Sequence, residues 1–293
     1  SVAGAFVAGT RIGATKRLLR KLSAVPEDYV IPEVWTYEEG QMLEGTNRPF
    51  SGPRKEQELK RGEHALQLYS LGTPNGCKAT ILLEELHDSK GVEYDAWKIS
   101  FSDLDQFGSG FVALNPNSKI PTMLDTDTGI RVFETGSLLK YLSEKYDDAF
   151  VPSDLKGKTE CYNWLFWQVG GAPYWGGAGF GLWYKYAPFA FKFGLDRATI
   201  ELKRQLDVLD KHLADKTYLC GAEYTIADIA VWPWFYFVKD RYGAETFLQL
   251  ADYPNLLKWY AAVKQRPAVQ RGIRVSGFGD DAIPERHSAK DFL

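Results

Sequence analysis

Cysteine is scarce: there are three in 293 residues, Cys77, Cys161 and Cys220, far apart in the chain. No CxxC pair, no Cys/His cluster and no even set of bridging partners exists, so a disulfide-stapled secreted fold is excluded and a reducing compartment is expected. Histidine is as thin, with His64, His87, His212 and His287 scattered, and no metal site is expected. No run of about 18 uncharged apolar residues occurs, so no ordinary membrane span is expected. Basic excess is missing too. A formal net charge of −3 and a pI near 5.9 argue against a nucleic-acid binder. Acidic residues are absent from one stretch, Ser1 to Pro26, which carries Arg11, Lys16, Arg17, Arg20 and Lys21. That composition is that of an organellar transit-peptide remnant or of an arm that binds a partner; a plain basic tail is the alternative. The expected location is therefore the cytoplasm or an organelle matrix or stroma.

What is present is ordinary for a globular chain, 45% hydrophobic and 25% charged, with 14% aromatics crowded into the second half. Five segments are expected. Residues 1–63 form the basic segment followed by a polar, proline-punctuated extended arm. Residues 64–146 read as β-α-β-α-β-β-α, with strands over 65–69, 93–99, 121–124 and 130–133 and helices over 76–86 and 137–146. The turn-rich Asp125–Gly129 joins the last two strands as a hairpin. This order fits a thioredoxin-like α/β domain with right-handed crossovers. Residues 147–157 read as a linker. Residues 158–272 are all-helical, with helices over 159–168, 196–214, 226–241 and 255–265; Leu202, Leu206, Leu209 and Leu213 recur at helical spacing. Residues 273–293 form a tail expected to lie along the surface.

Two short segments carry the chemistry. Thr73-Pro74-Asn75-Gly76 opens a helix, whose free N–H groups and positive dipole end favour an anion such as a thiolate. Asn117–Thr122 carries Pro121, whose preceding bond is expected to be cis, leaving the Ile120 backbone free to pair with an extended ligand. Together with LQLYSLGTPNG (66–76), DQFGSGFVALNPNSKIPT (105–122), RVFETGS (131–137), LDVLDKHL (206–213) and EYTIADIAVWPWF (223–235), they resemble the cytosolic glutathione S-transferases. Asn47–Pro53 sharpens the resemblance to the Nu class, the bacterial YghU type related to the yeast nitrogen-regulating prion protein. It covers roughly residues 45–290.

The resemblance implies a thioredoxin-like domain followed by an all-α domain, glutathione as cosubstrate with no metal, and a homodimer. Thr73 stands where thioredoxins place their nucleophilic cysteine, so its hydroxyl, with Asn47 from the arm and Asn75, is implied to hold the glutathione sulfur. A plain helix N-cap is the other reading of Thr73. Free thiols ionise near pH 8.5, and lowering that by about two units makes most of the thiol a thiolate. Ile120 and Pro121 are assigned to the cysteinyl unit of the ligand, and Glu134 and Thr135 to its γ-glutamyl amine and carboxylate. Gln106 and Lys119 are assigned to the glycyl end or a second glutathione. Arg197 is implied to meet the second molecule. Val169 stands where bacterial members have Gln, so that contact is either lost or supplied by Gln168. Cys77 reads as a packed core residue, and Thr225–Asp228 as a capping box. Trp164, Trp167, Tyr174, Trp175, Trp183 and Tyr184 either line an apolar second-substrate pocket or pack the core or a dimer contact.

Two functions follow. The first is a thiol–disulfide oxidoreductase or transferase that uses bound glutathione thiolate on a small disulfide, electrophile or peroxide. The second is a scaffold that docks to an organellar complex through the N-terminal arm and the tail, since fold alone does not fix function. The joint presence of Asn47, Thr73, Asn75 and Glu134 favours the enzyme.

Overall fold

Leu66–Ser70 is buried at every residue and forms β1 at the centre of a mixed sheet. Continuous burial of that kind means both faces are covered. The computed structural model describes residues 30–37 and 47–293; the basic segment Ser1 to Pro26 lies outside the described residues. Tyr94–Lys98 (β2) pairs parallel to β1, and Thr122–Asp125 (β3) pairs antiparallel on the other side. Ile130–Phe133 (β4) returns antiparallel to β3, which gives the order β2-β1-β3-β4.

Pro74–Lys90 (α1) connects β1 to β2. Thr73 caps its start, Pro74 sits where a missing N–H costs nothing, and Gly91 at φ 69° ends it in the left-handed conformation. The helix runs a turn beyond the expected 86, because the polar residues 87–90 lie on its exposed last turn. A 3₁₀ turn over Asp105–Phe107 and a short helix, Ser109–Leu114 (α2), fill the stretch before β3. Thr135–Lys145 (α3) follows β4.

The expected linker is shorter than residues 147–157. Asp154 accepts from the Gly157 N–H at 2.9 Å and starts Leu155–Trp175 (α4) there. Lys192–His212 (α5) buries Leu202, Leu206 and Leu209 along one stripe. Ile226–Tyr236 (α6) is buried on every side, the mark of a central helix. Its capping box is formed: Asp228 receives the Thr225 and Leu219 N–H groups and the Trp259 indole. Beyond it the helix widens into a π turn over Phe237–Arg241, so the single helix expected to 241 is two elements. Glu245–Leu248 (α7), Pro254–Lys264 (α8) and Pro267–Gly272 (α9) complete the helical part.

The tail does not simply lie on the surface. Arg286 is fully buried, pairs with Glu84 and Glu93, donates to the Tyr94 carbonyl at 2.8 Å and covers the Tyr94 ring. Its backbone exchanges two hydrogen bonds with Ala96, so one tail residue extends the sheet beyond edge strand β2. Glu84, wholly buried beneath the tail, is the reason: a buried carboxylate requires cations, and the tail supplies one beside Arg271. Within the arm, Arg54 to Gln57 runs beside Phe107–Gly110 through three backbone hydrogen bonds.

Candidate active site

Strand register brings the sequence-predicted segments to one end of the sheet. Tyr69 of β1 faces Thr122 of β3, and Thr122 faces Phe133 of β4. The residues just past Tyr69, just before Thr122 and just after Phe133 therefore meet. These are Leu71–Thr73, Ile120–Pro121 and Glu134–Thr135. The Ile120–Pro121 peptide is cis. β2 is parallel to β1, so the chain leaving Lys98 carries Gln106 to the same end, where it is buried.

Two helix N-termini converge here, those of α1 and α3, and their unpaired N–H groups and dipoles favour negative charge. At α1, Thr73 Oγ1 accepts from the Gly76 N–H at 3.2 Å. It is thus the N-cap of the plain reading, and its own hydroxyl hydrogen stays available. Gly76 is required: a Cβ there would lie 1.9 Å from the Leu71 carbonyl oxygen. Gly72 donates to the Ser276 carbonyl at 2.7 Å, and a Cβ on it would meet Gly277 Cα at 2.6 Å. The tail therefore buttresses the loop that carries Thr73.

At α3, Glu134 occupies the N-cap with φ 68° and ψ 124°, a conformation that non-glycine residues rarely hold. Asn117 donates to its carboxylate at 3.5 Å. Strain of this kind persists where surrounding structure enforces it, commonly at a ligand site.

Asn47 lines a cleft of about 220 Å³ with Arg48, Phe107, Asn117 and Lys119. The structure thus groups Asn47 with Lys119; no hydrogen bond joins it to Thr73 among the described residues. Asn75 meets the helical domain, its Oδ1 accepting from the Trp234 indole of α6 at 3.3 Å. Arg197 is exposed on α5. Gln168, one of the two alternatives for the contact at Val169, is 3% exposed. Its Oε1 accepts from Lys78 Nζ at 2.5 Å, because α4 turns it inward toward that buried ammonium. Val169 packs toward Gly136, one residue past Thr135.

Lys78 was not singled out in the sequence. It is 1% exposed, donates to Thr135 Oγ1 at 3.2 Å as well as to Gln168, and lies 5.9 Å from the Trp234 ring centre. Burial pulls its ammonium down to about 7, opposed by the Glu134 charge. One signal was present: a cation one turn into a helix sits at the end whose dipole disfavours it.

Cys77 is fully buried, and burial pushes its thiol up to about 12. Cys161 and Cys220 lie near Thr225, whose hydroxyl donates to Cys220 Sγ at 3.4 Å, at the foot of α6. Trp234 is about 12 Å further along that helix at 1.5 Å per residue. The aromatic residues of the second half are mostly packing. Trp175 is buried and donates to Gln205, Trp164 packs on Trp167 and His212, and Trp183 packs on Phe191. No cluster of three or more His, Cys, Asp or Glu suited to a metal exists among the described residues.

Comparison with known proteins places this geometry. Residues 64–144 match the glutathione S-transferase N-terminal domain, and residues 192–262 match the glutathione S-transferase C-terminal domain. The disulfide-bond oxidoreductase YghU of Escherichia coli is 50% identical over 275 residues, 90% of this chain and 95% of that protein. The crystal structure of glutathione transferase YghU from Streptococcus pneumoniae, complexed with glutathione, superposes with a TM-score of 0.80 at 50% identity, over 85% of this chain and 98% of that one. A glutathione transferase from Pseudomonas putida, with one glutathione disulfide bound per subunit, superposes with a TM-score of 0.69 at 37% identity, over 74% and 94%. With both halves of its fold matched and half of its residues shared across nearly the full length of a relative, the chain belongs to the glutathione S-transferase family.

Proposed function

We propose that this protein is a glutathione-dependent thiol–disulfide oxidoreductase whose reactive sulfur belongs to the bound ligand. One observation carries the reading. The helix-opening position of a thioredoxin-like site holds Thr73, and the nearest protein thiol, Cys77, is buried and pushed up to about 12. A sulfur nucleophile at this end must therefore arrive with the substrate. The oxidoreductase YghU and the neighbour that holds glutathione disulfide support the same chemistry.

Glutathione lies along the converged segments. Thr73 donates its free hydroxyl hydrogen to the thiolate, with the α1 N-terminus, Asn47 and Asn75 beside it. The Ile120 backbone, held by Pro121, pairs with the cysteinyl unit. Glu134 takes the γ-glutamyl amine, and Thr135 takes its carboxylate. Gln106 and Lys119 take the glycyl end, and Arg197 takes a second glutathione. The thiolate attacks one sulfur of a disulfide, the S–S bond breaks, and the other half leaves as a thiolate. A second glutathione thiolate then attacks the mixed disulfide, which gives glutathione disulfide and the remaining thiol. Leu155 and Phe166, eleven residues apart on α4 and both exposed, support a homodimer through that face.

Turnover of a small mixed disulfide by the wild type and by Thr73→Ala/Asn47→Ala tests the reading. The double variant is expected to lose about 25-fold at pH 7, the fall in thiolate fraction when the thiol returns to its free ionisation. Unchanged turnover would sink it.

A further inference from the structure

We propose that Lys78 is a positioning residue for the γ-glutamyl end of glutathione: its buried ammonium sets the Thr135 hydroxyl as a donor and answers the ligand carboxylate's charge from behind. The inference rests on the glutathione reading and extends it to a residue that lies below the cleft.

The geometry is specific. Nζ donates to Thr135 Oγ1 at 3.2 Å, which occupies an acceptor lone pair and turns the hydroxyl hydrogen outward. The second bond goes to Gln168 Oε1. Three segments thus meet on one ammonium: α1, the start of α3, and α4 of the helical domain. Neither acceptor carries charge. The cation is desolvated without a bonded counter-ion, an expensive arrangement unless an anion completes it. Thr135 lies at the N-terminal end of α3, so a carboxylate bound there meets the dipole, the hydroxyl and the ammonium in line.

Few other charges act on Lys78. From α3, Glu134 supports its protonated form. From α4 and α6 it meets the neutral Gln168 and Trp234. Arg241, beyond α6, acts on Cys77. On α1 itself, Glu84 is held by Arg271 and Arg286, and Glu85 by Arg266, with both arginines of α8–α9 committed to those pairs. The anion that Lys78 awaits is therefore the ligand's.

A proton linkage follows. Well below pH 7 Lys78 is charged in the free protein. As pH rises through about 7 it loses its proton, and binding an anion must restore it. Affinity therefore falls with rising pH, and binding takes up a proton. Calorimetric titration with S-methylglutathione, which has no ionisable thiol, reads this directly at pH 8 in buffers of different ionisation heat. The wild type is expected to take up about half of one proton. Lys78→Met is expected to bind about tenfold more weakly at pH 6.5, with no uptake and no fall in affinity up to pH 8. Thr135→Val is expected to bind more weakly yet keep the uptake. Binding by the wild type without proton uptake would overturn the proposal, and that measurement needs no variant to fold. Equal affinity and equal uptake in a folded Lys78→Met would overturn it as well. No binding of S-methylglutathione by the wild type would instead overturn the glutathione reading itself.

Discussion

Glu134 pairs a functional carboxylate with a backbone conformation, φ 68°, that costs a non-glycine residue about 1–3 kcal/mol. Glycine tolerates the conformation but adds about 1 kcal/mol of unfolded-chain entropy. Glu134→Gly is therefore expected to keep or raise stability by about 1 kcal/mol in urea unfolding while glutathione affinity drops at least tenfold. A loss of stability with affinity intact would show that the strain has no functional origin. At this scale the chemistry was only half legible. The segments bearing Thr73, Pro121 and Glu134 stand out in the sequence because turn and cap residues mark them. Lys78 does not, because α1 is buried continuously from Gly76 to Leu86 and has no polar face against which a buried lysine would look misplaced. The setting of Gln168 is hidden for a related reason: its side chain is turned by a partner that lies 90 positions away.

Among the elements, α6 is held at its start by one carboxylate. Asp228 accepts two backbone N–H groups and the Trp259 indole while wholly buried. Asp228→Ala would leave those donors unsatisfied and cost about 3 kcal/mol or more, measured by thermal or urea unfolding. Thiolate formation by bound glutathione, read at a temperature where the variant stays folded, is expected to be unchanged, since α6 meets the site near its other end through Trp234. Elements were the most legible level. The hairpin β3–β4 and the stripe of α5 follow directly from turn residues and leucine spacing. Boundaries slipped where a cap lay outside the apolar pattern: Asp154 starts α4 four residues before the expected 159, and α4 continues to Trp175 through Pro173. The short helices α7 and α9 went unread because four to six residues carry too little periodicity.

For the whole molecule, the tail is the feature that composition concealed. A glycine- and charge-rich segment reads as surface, yet its arginine is the buried partner of two acids from the first domain. Arg286→Met is expected to destabilise by about 3 kcal/mol in urea, toward the low end for a broken buried pair because Arg271 still holds Glu84. An effect below 1 kcal/mol would show that the contact is incidental. The same contact sets an order of events during synthesis. Ala96 leaves the ribosome well before its sheet partner Arg286, roughly 190 residues and on the order of 10–40 s later at about 5–20 residues per second. The edge of the first domain thus stays open until residue 286 has been made. A nascent chain stalled anywhere upstream of residue 286 presents an unfinished sheet to whatever chaperone or neighbouring strand is near.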